Sequence, residues 1–309
     1  MKKYIIIISV LVSLFTNKLQ AQQEAMYSQY MFNTLAINPA YAGSRNVTSA
    51  TALYRNQWVG IQGAPETLTL SIDAPINSKK VGLGLQVFND RIGVTSTTGA
   101  FGSYAYRLRL NKGTLAFGLQ AGASQYRADF QSVSLNTFPS NDVAFSENIN
   151  KVLVNFGAGI YYNTDRFYMG LSSPQILNNK LSNFTVQNNN VFTGQALHIF
   201  FATGYVFPLG DVLALKPSVL IKGVKGAPIE ADLNATLWIN DVIAFGLQYR
   251  TEADMAAMIE LQASPQIRIG YSYDRSLTKL VQYNSGSHEI MLRYEFGFKK
   301  GKILSPRYF

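Results

Sequence analysis

Residues 79–89 read Lys79-Lys80-Val81-Gly82-Leu83-Gly84-Leu85-Gln86-Val87-Phe88-Asn89. Val81, Leu83, Leu85 and Val87 alternate with Gly82, Gly84, Gln86 and Phe88. Successive strand side chains point to opposite faces, so an extended chain here is greasy on one side and mostly small or polar on the other. The same period of two returns in Leu115, Phe117, Leu119 and Ala121 against Ala116, Gly118, Gln120 and Gly122. It recurs in Val152, Val154, Phe156, Ala158, Ile160 and Tyr162 against Asn155, Gly157, Gly159 and Asn163. Opposite Ile229, Ala231, Leu233, Ala235, Leu237 and Ile239 stand Glu230, Asp232, Asn234 and Thr236. Four polar side chains on one strand face demand water or polar partners.

Fourteen such segments begin near Thr48, Ala64, Lys79, Thr95, Lys112, Val152, Arg166, His198, Leu213, Ala227, Asp241, Asp254, Gln266 and Ser287. Single-chain bacterial outer-membrane barrels have an even number of strands. Most segments run about nine to thirteen residues, close to the roughly 9–11 that cross a bilayer at a tilt. The connections agree. Even-numbered gaps are tight and rich in Asn, Asp, Gly and Pro: Asn77-Ser78, Asn111-Lys112, Asn163-Thr164-Asp165, the stretch from Pro208 to Val212, Asn240-Asp241 and Ser264-Pro265. The long excursions, residues 126–151 (from Tyr126 to Lys151), 174–197 (from Pro174 to Leu197) and 276–286, all fall in odd-numbered gaps. Barrels of this class put short turns in the periplasm and long loops outside. The expected fold is therefore all-β, a transmembrane antiparallel β-barrel of about 14 strands over residues 46–298, in the outer membrane. A soluble sandwich or propeller also alternates. Its outer faces usually carry charge, whereas these polar faces are dominated by Gly, Ser, Thr, Gln and Asn, which suits a hydrated lumen. The final segment sets Ile290, Leu292, Tyr294, Phe296 and Phe298 against Glu289, Met291, Arg293 and Glu295, the aromatic-ended pattern of a strand near an interface girdle.

The N-terminus has the layout of an export signal over residues 1–21. Lys2 and Lys3 precede an apolar run from Tyr4 to Phe15, and Leu19-Gln20-Ala21 offers a cleavage site. That run is too short for a spanning helix, which needs about 20 residues. No Cys follows it, and with Cys 0 the chain has neither a lipid-modified cysteine nor a disulfide nor a thiolate metal site. Removing Lys2, Lys3 and Lys18 leaves 24 Lys+Arg against 18 Asp+Glu, a mature net charge of +6. The only basic cluster is Lys299, Lys300, Lys302 and Arg307, in a tail of residues 299–309 (Lys299 to Phe309) expected in the periplasm. Basic residues do not gather on a binding motif, so no nucleic-acid partner is expected. Residues 22–45 are aromatic and amide-rich, with a break at Asn38-Pro39. They fit a periplasmic leader packed at the barrel mouth, or a plug folded into the lumen.

If the apolar series faces lipid, then Asp73, Arg107, Arg109, Lys216, Glu230, Asp232, Arg250, Glu260, Arg268, Asp274, Arg293 and Glu295 face inward as a mixed network of both signs. No catalytic, cofactor or metal residues emerge. His198 and His288 are the only histidines and lack companions at ligand spacing. Ser276-Leu277-Thr278-Lys279 has the S-x-x-K spacing without its partner motifs. Gly82-Leu83-Gly84 reads as a strand with a small inner face rather than a nucleotide loop. Asn46-Val47-Thr48, Asn183-Phe184-Thr185 and Asn234-Ala235-Thr236 arise readily by chance in an Asn-rich chain. The chain is expected not to be an enzyme, since no nucleophile, base and orienter set appears.

Many blocks in one order resemble the PorP/SprF family of type IX secretion system outer-membrane proteins. They include Tyr27-Ser28-Gln29-Tyr30-Met31-Phe32-Asn33, Ile37-Asn38-Pro39-Ala40-Tyr41-Ala42-Gly43-Ser44, Tyr54-Arg55-Asn56-Gln57-Trp58-Val59-Gly60, Gly270-Tyr271-Ser272-Tyr273-Asp274 and the block from Tyr283-Asn284-Ser285-Gly286 to Leu292. Thr34 stands where a Pro is more usual. The resemblance implies a role in Bacteroidota-type export and gliding motility: secretion or surface tethering of large adhesins that carry a type IX C-terminal signal domain, together with other type IX or gliding components and outer-membrane lipid. It supplies no binding residue. The loops at 126–151 and 174–197 are the expected exterior contact surfaces, and residues 299–309 the periplasmic one. A diffusion porin or small-solute transporter is the competing reading, since a barrel alone permits it.

Overall fold

The computed structural model describes residues 28–76, 79–132, 148–182, 185–186, 189–190, 193–194, 196–224 and 227–296. The signal segment, residues 22–27 and the basic tail lie outside the described residues. Among the described residues no helix is long and apolar enough to cross a membrane. The chain crosses with strands instead: β1 (Thr48–Asn56), β2 (Glu66–Ile76), β3 (Val81–Ile92), β4 (Thr95–Leu110), β5 (Gly113–Ala128), β6 (Ile149–Asn163), β7 (Phe167–Ser173), β8 (His198–Tyr205, continued by Phe207–Leu209), β9 (Leu213–Val224), β10 (Glu230–Ile239), β11 (Ile243–Arg250), β12 (Asp254–Gln262), β13 (Ile267–Ser276) and β14 (Ser287–Phe296).

Each strand pairs antiparallel with its sequence neighbours. The cylinder closes where β1 pairs with β14, from Thr48↔Phe296 to Asn56↔His288. Closure leaves the bilayer no sheet edge whose N–H and C=O groups would go unsatisfied in hydrocarbon. The apolar member of each two-residue repeat faces out, as in β3, where Leu83, Leu85 and Val87 are exposed while Gln86 is buried. Leu119, 64% exposed on β5, sits between Tyr104 of β4 and Ala158 of β6. A wall that exposes Leu83, Leu85 and Leu119 outward while Arg55, Arg250 and Arg293 are buried inward is built for lipid on its outer side.

Several boundaries move from their expected places. The second strand starts at Glu66 rather than Ala64, the sixth at Ile149 rather than Val152, and the tenth at Glu230 rather than Ala227. The loop placed at 126–151 is shorter, because Tyr126 pairs with Lys151 inside a continuous β5–β6 ladder that runs to Ala128↔Ile149. The cause is environmental. Past the hydrocarbon both strand faces meet water, so Gln125, Tyr126 and Arg127 extend the ladder with no apolar alternation to betray it. The excursion at 174–197 carries two short pairings, Lys180–Ser182 with Thr193–Gly194 and Thr185–Val186 with Asn189–Asn190.

Candidate functional site

The lumen is occupied by the chain's own N-terminal segment. Residues 28–45 form a 3-10 turn at Tyr30–Phe32, one helical turn at Thr34–Ile37 and a second 3-10 turn at Pro39–Tyr41. Turns this short do not persist alone in water. Here the strands hold them: Tyr30, Met31, Phe32, Leu35, Ala40, Tyr41 and Ala42 are all buried in one cluster with Ala105, Ala116, Tyr161, Tyr168, Phe200, Leu220 and Met291 of the inward strand faces. Asn38 closes the break before Pro39. Its side chain accepts from Ala40 N at 2.9 Å and donates to Ile160 O at 3.0 Å.

Glycine on the inner strand faces makes the fit. A Cβ added at Gly82 would lie 1.9 Å from Ala42 O, at Gly118 2.1 Å from Ala40 N, at Gly159 2.2 Å from Asn38 Oδ1 and at Gly270 2.4 Å from Gln29 Oε1. Those inward glycines, legible in the sequence only as a small face, are the imprint of the segment they receive.

Polar anchors fix the segment along its length. With the termini of the barrel on the periplasmic side, the C-terminal end of β1 and the N-terminal end of β14 point outward to the exterior. At that outer end Glu289 accepts from Ser28 N at 3.0 Å and Gln29 N at 2.7 Å, and Ser28 Oγ donates to Asp274 at 2.5 Å. Arg55 Nη1 reaches Ser28 Oγ at 3.0 Å, Asp274 at 2.6 Å and Glu289 at 3.1 Å. Midway, Asn234 donates to the Tyr30 hydroxyl at 2.9 Å, Ser71 to Asn33 Oδ1 at 2.9 Å and Ser172 to Ile37 O at 2.6 Å. Arg293 donates to Phe32 O. The Phe32 ring lies 5.8 Å from Lys216 Nζ and 5.7 Å from the Arg293 guanidinium, so two cations share its faces. At the periplasmic end Gly43 N donates to Asp73 at 2.8 Å, and Arg45 pairs with Glu295.

A second ionic group spans β10, β11 and β12. Arg250 bonds Asp232 through Nε at 2.9 Å and Asp254 through Nη1 at 3.1 Å, while Gln248 donates to Asp232 at 3.1 Å. Glu230 stands 3.7 Å from Arg250. Buried ions of opposite sign satisfy one another here, where either alone would be costly.

The structure buries Asp73, Arg107, Lys216, Asp232, Arg250, Glu260, Arg268, Asp274, Arg293 and Glu295 as the alternation predicts. Arg109 departs: it is exposed, one residue from the periplasmic end of β4. Arg55, Asp254, Lys222 and Glu289 belong to the interior and escaped the inward set read from the sequence. For Arg55 the reason is Leu53, fully buried on the same face of β1; an apolar residue in the polar frame hides the parity. His198 and His288 stand on β8 and β14, strands that are not neighbours. Among the described residues, no group of three His, Cys, Asp or Glu could hold a metal. Ser276 ends β13 and Lys279 opens an exposed 3-10 turn, Lys279–Gln282, so the two share no cleft.

A model of the family described as type IX secretion system membrane protein PorP/SprF matches residues 19–294. The chain belongs to this family. No curated protein matches the sequence significantly. Among solved structures, the PorP/SprF chain is similar in fold to the Ralstonia pickettii toluene transporter TbuX, at 9% identity and TM-score 0.50 over 91% of this chain and 97% of that one. It is also similar to the Acinetobacter baumannii outer membrane protein Omp33, at 10% identity and TM-score 0.46 over 81% and 98%. The Escherichia coli outer membrane phospholipase A matches at 10% identity and TM-score 0.37 over 88% and 99%. Such likeness is one of fold alone. This PorP/SprF protein is an outer-membrane β-barrel whose partners are membrane lipid and other components of type IX secretion.

Proposed function

We propose that the protein holds large secreted adhesins with a type IX C-terminal signal domain at the cell surface, or guides them there, through non-covalent contacts on its outer face. Family membership supports the secretion role. The observation that favours tethering over solute passage is the filled lumen: residues 28–45 run from the Arg55–Asp274–Glu289 anchor at the outer end to the Arg45–Glu295 pair at the periplasmic mouth. A diffusion porin needs a wide hydrated path there.

The test has two arms. Cells lacking the gene are expected to shed adhesin into the medium, measured by immunoblot of cells against supernatant. Purified protein in planar bilayers is expected to give no steady conductance. Adhesin retained on the deletion strain, or a stable open pore in the intact protein, would overturn this reading.

A further inference from the structure

On the lipid-facing wall, side-chain size is uneven around the seam that closes the cylinder. Along β1 the outward positions run Thr48, Ala50, Ala52 and Tyr54, while Ser49, Thr51 and Leu53 are buried on the inner face. Register sets Leu292 and Tyr294 of β14 beside Ala52 and Ala50 on one side, and Leu70 and Ile72 of β2 on the other. Small residues between large ones leave a groove of about 310 Å³, floored by Ala50 and Ala52 and reaching Leu85 and Val87 of β3 at its far side. Every lining residue belongs to a strand whose main chain is paired on both sides, so the groove is a relief of side-chain size alone.

The two ends of this groove differ. Toward the exterior the floor stops at Tyr54, whose ring is exposed on the outer face; toward the periplasm it continues past Ala50 to Thr48, the first residue of the strand. Ile72 and Leu85 lie four residues from the ends of their strands at the β2–β3 turn. At about 3.4 Å per residue and a tilt of about 40°, they stand about 10 Å above that turn. This depth falls in the periplasmic half of a hydrocarbon core about 30 Å thick. The rim below is basic. Lys79 and Lys80 at the β2–β3 turn, and Arg109 and Lys112 at the β4–β5 turn, are exposed, and neither residues 77–80 nor 109–113 include an Asp or Glu. The β6–β7, β8–β9 and β10–β11 turns instead carry Asp165, Asp211 and Asp241.

The flanking strands β14 and β2 stand two strand spacings apart, about 10 Å. With Leu, Ile and Tyr side chains on both walls, the space left over the floor admits one hydrocarbon chain and excludes a helix about 10–12 Å across. We propose that the groove is a binding site for one phospholipid of the periplasmic leaflet with an anionic, phosphate-bearing headgroup. An acyl chain lies over Ala50 and Ala52 with its end stopped by Tyr54, and the headgroup meets Lys79 and Lys80. Acyl chains touch the whole outer wall, so apolar character alone gives no preference. The recessed floor adds contact on three sides of one chain, where a flat stretch of wall offers one. The basic turns add attraction for an anionic headgroup. The site does not depend on the tethering reading.

The test places the intact protein in nanodiscs of equal parts dioleoylphosphatidylglycerol and dioleoylphosphatidylcholine, then ejects and weighs it by native mass spectrometry. A single phosphatidylglycerol is expected to stay bound. Ala52→Leu fills the floor and should abolish retention, while Ala257→Leu, exposed on β12 away from the groove, keeps it. Heat-modifiable gel mobility reports that both barrels are intact. Lys79→Gln and Lys80→Gln should each lower the ratio of phosphatidylglycerol to phosphatidylcholine retained about fivefold. A phosphatidylglycerol with a diazirine at the end of its acyl chain needs no variant, and on the wild-type protein should label residues 50–54. Equal retention by wild type and Ala52→Leu, equal retention of the two lipids by wild type, or labels spread evenly around the wall would overturn the inference. So would an outer-leaflet glycolipid, in place of a phospholipid, held by protein extracted from native outer membrane.

Discussion

At the scale of single residues, position relative to the wall decides what a side chain can be. Leu83 faces lipid, and an arginine there carries a cost of about 2–4 kcal/mol at the bilayer midplane; Leu83→Arg is expected to lower the yield of heat-modifiable, surface-assembled protein. The alternation alone predicts that Leu83→Arg impairs assembly more than Gln86→Arg does, and because Gln86 is buried in a filled lumen that second variant should be impaired as well. Gly118 meets Ala40 N at 2.1 Å from an added Cβ, whereas Gly102, on the outer face, meets nothing nearer than 4.0 Å. Gly118→Val should therefore displace residues 28–45 and expose them to added protease, with Gly102→Ala as the silent control. Arg55→Ala leaves Asp274 and Glu289 as buried carboxylates without their cation, a loss on the order of 3–5 kcal/mol. Its urea midpoint in detergent micelles is expected to fall well below that of Leu53→Ile, a shape change of the same strand face.

At the scale of elements, turns set register and length sets reach. Asn240 and Asp241, between β10 and β11, both have positive φ, 51° and 56°. Asn and Asp tolerate this left-handed backbone better than branched residues do. Asn240→Val should cost about 1–2 kcal/mol, read as a lowered urea midpoint. Such turns are visible in the sequence, and the parity of loop lengths that they reveal orients the barrel. The tall β4, β5 and β6, of 16, 16 and 15 residues, were not legible in full. Their outermost residues, Thr95 to Thr97, Gln125 to Arg127 and Ile149 to Lys151, carry no alternation of apolar and polar side chains. The step from β6 to β7 is a product of pairing register, and no local propensity encodes it.

For the whole molecule, the decisive fact is that barrel and N-terminal segment form one packed body. Deleting residues 22–45 after signal cleavage should open a lumen lined by Arg55, Arg250, Arg268 and Arg293 together with Asp232, Asp274 and Glu289. Bilayer recordings are expected to show a steady conductance in that variant and none in the intact protein. A closed trace in both would mean that the strand side chains alone can seal the barrel. The period of two, the even strand number and the segregation of long loops were already settled by the residues, because lipid outside and polar groups inside impose opposite chemistry on alternate positions. Where residues 28–45 go was decided only in three dimensions. Their aromatic and amide side chains suit a water-facing mouth and a packed interior equally well. Only the meeting of Ala40 with Gly118, Ala42 with Gly82 and Ser28 with Glu289, positions far apart along the chain, selects the lumen.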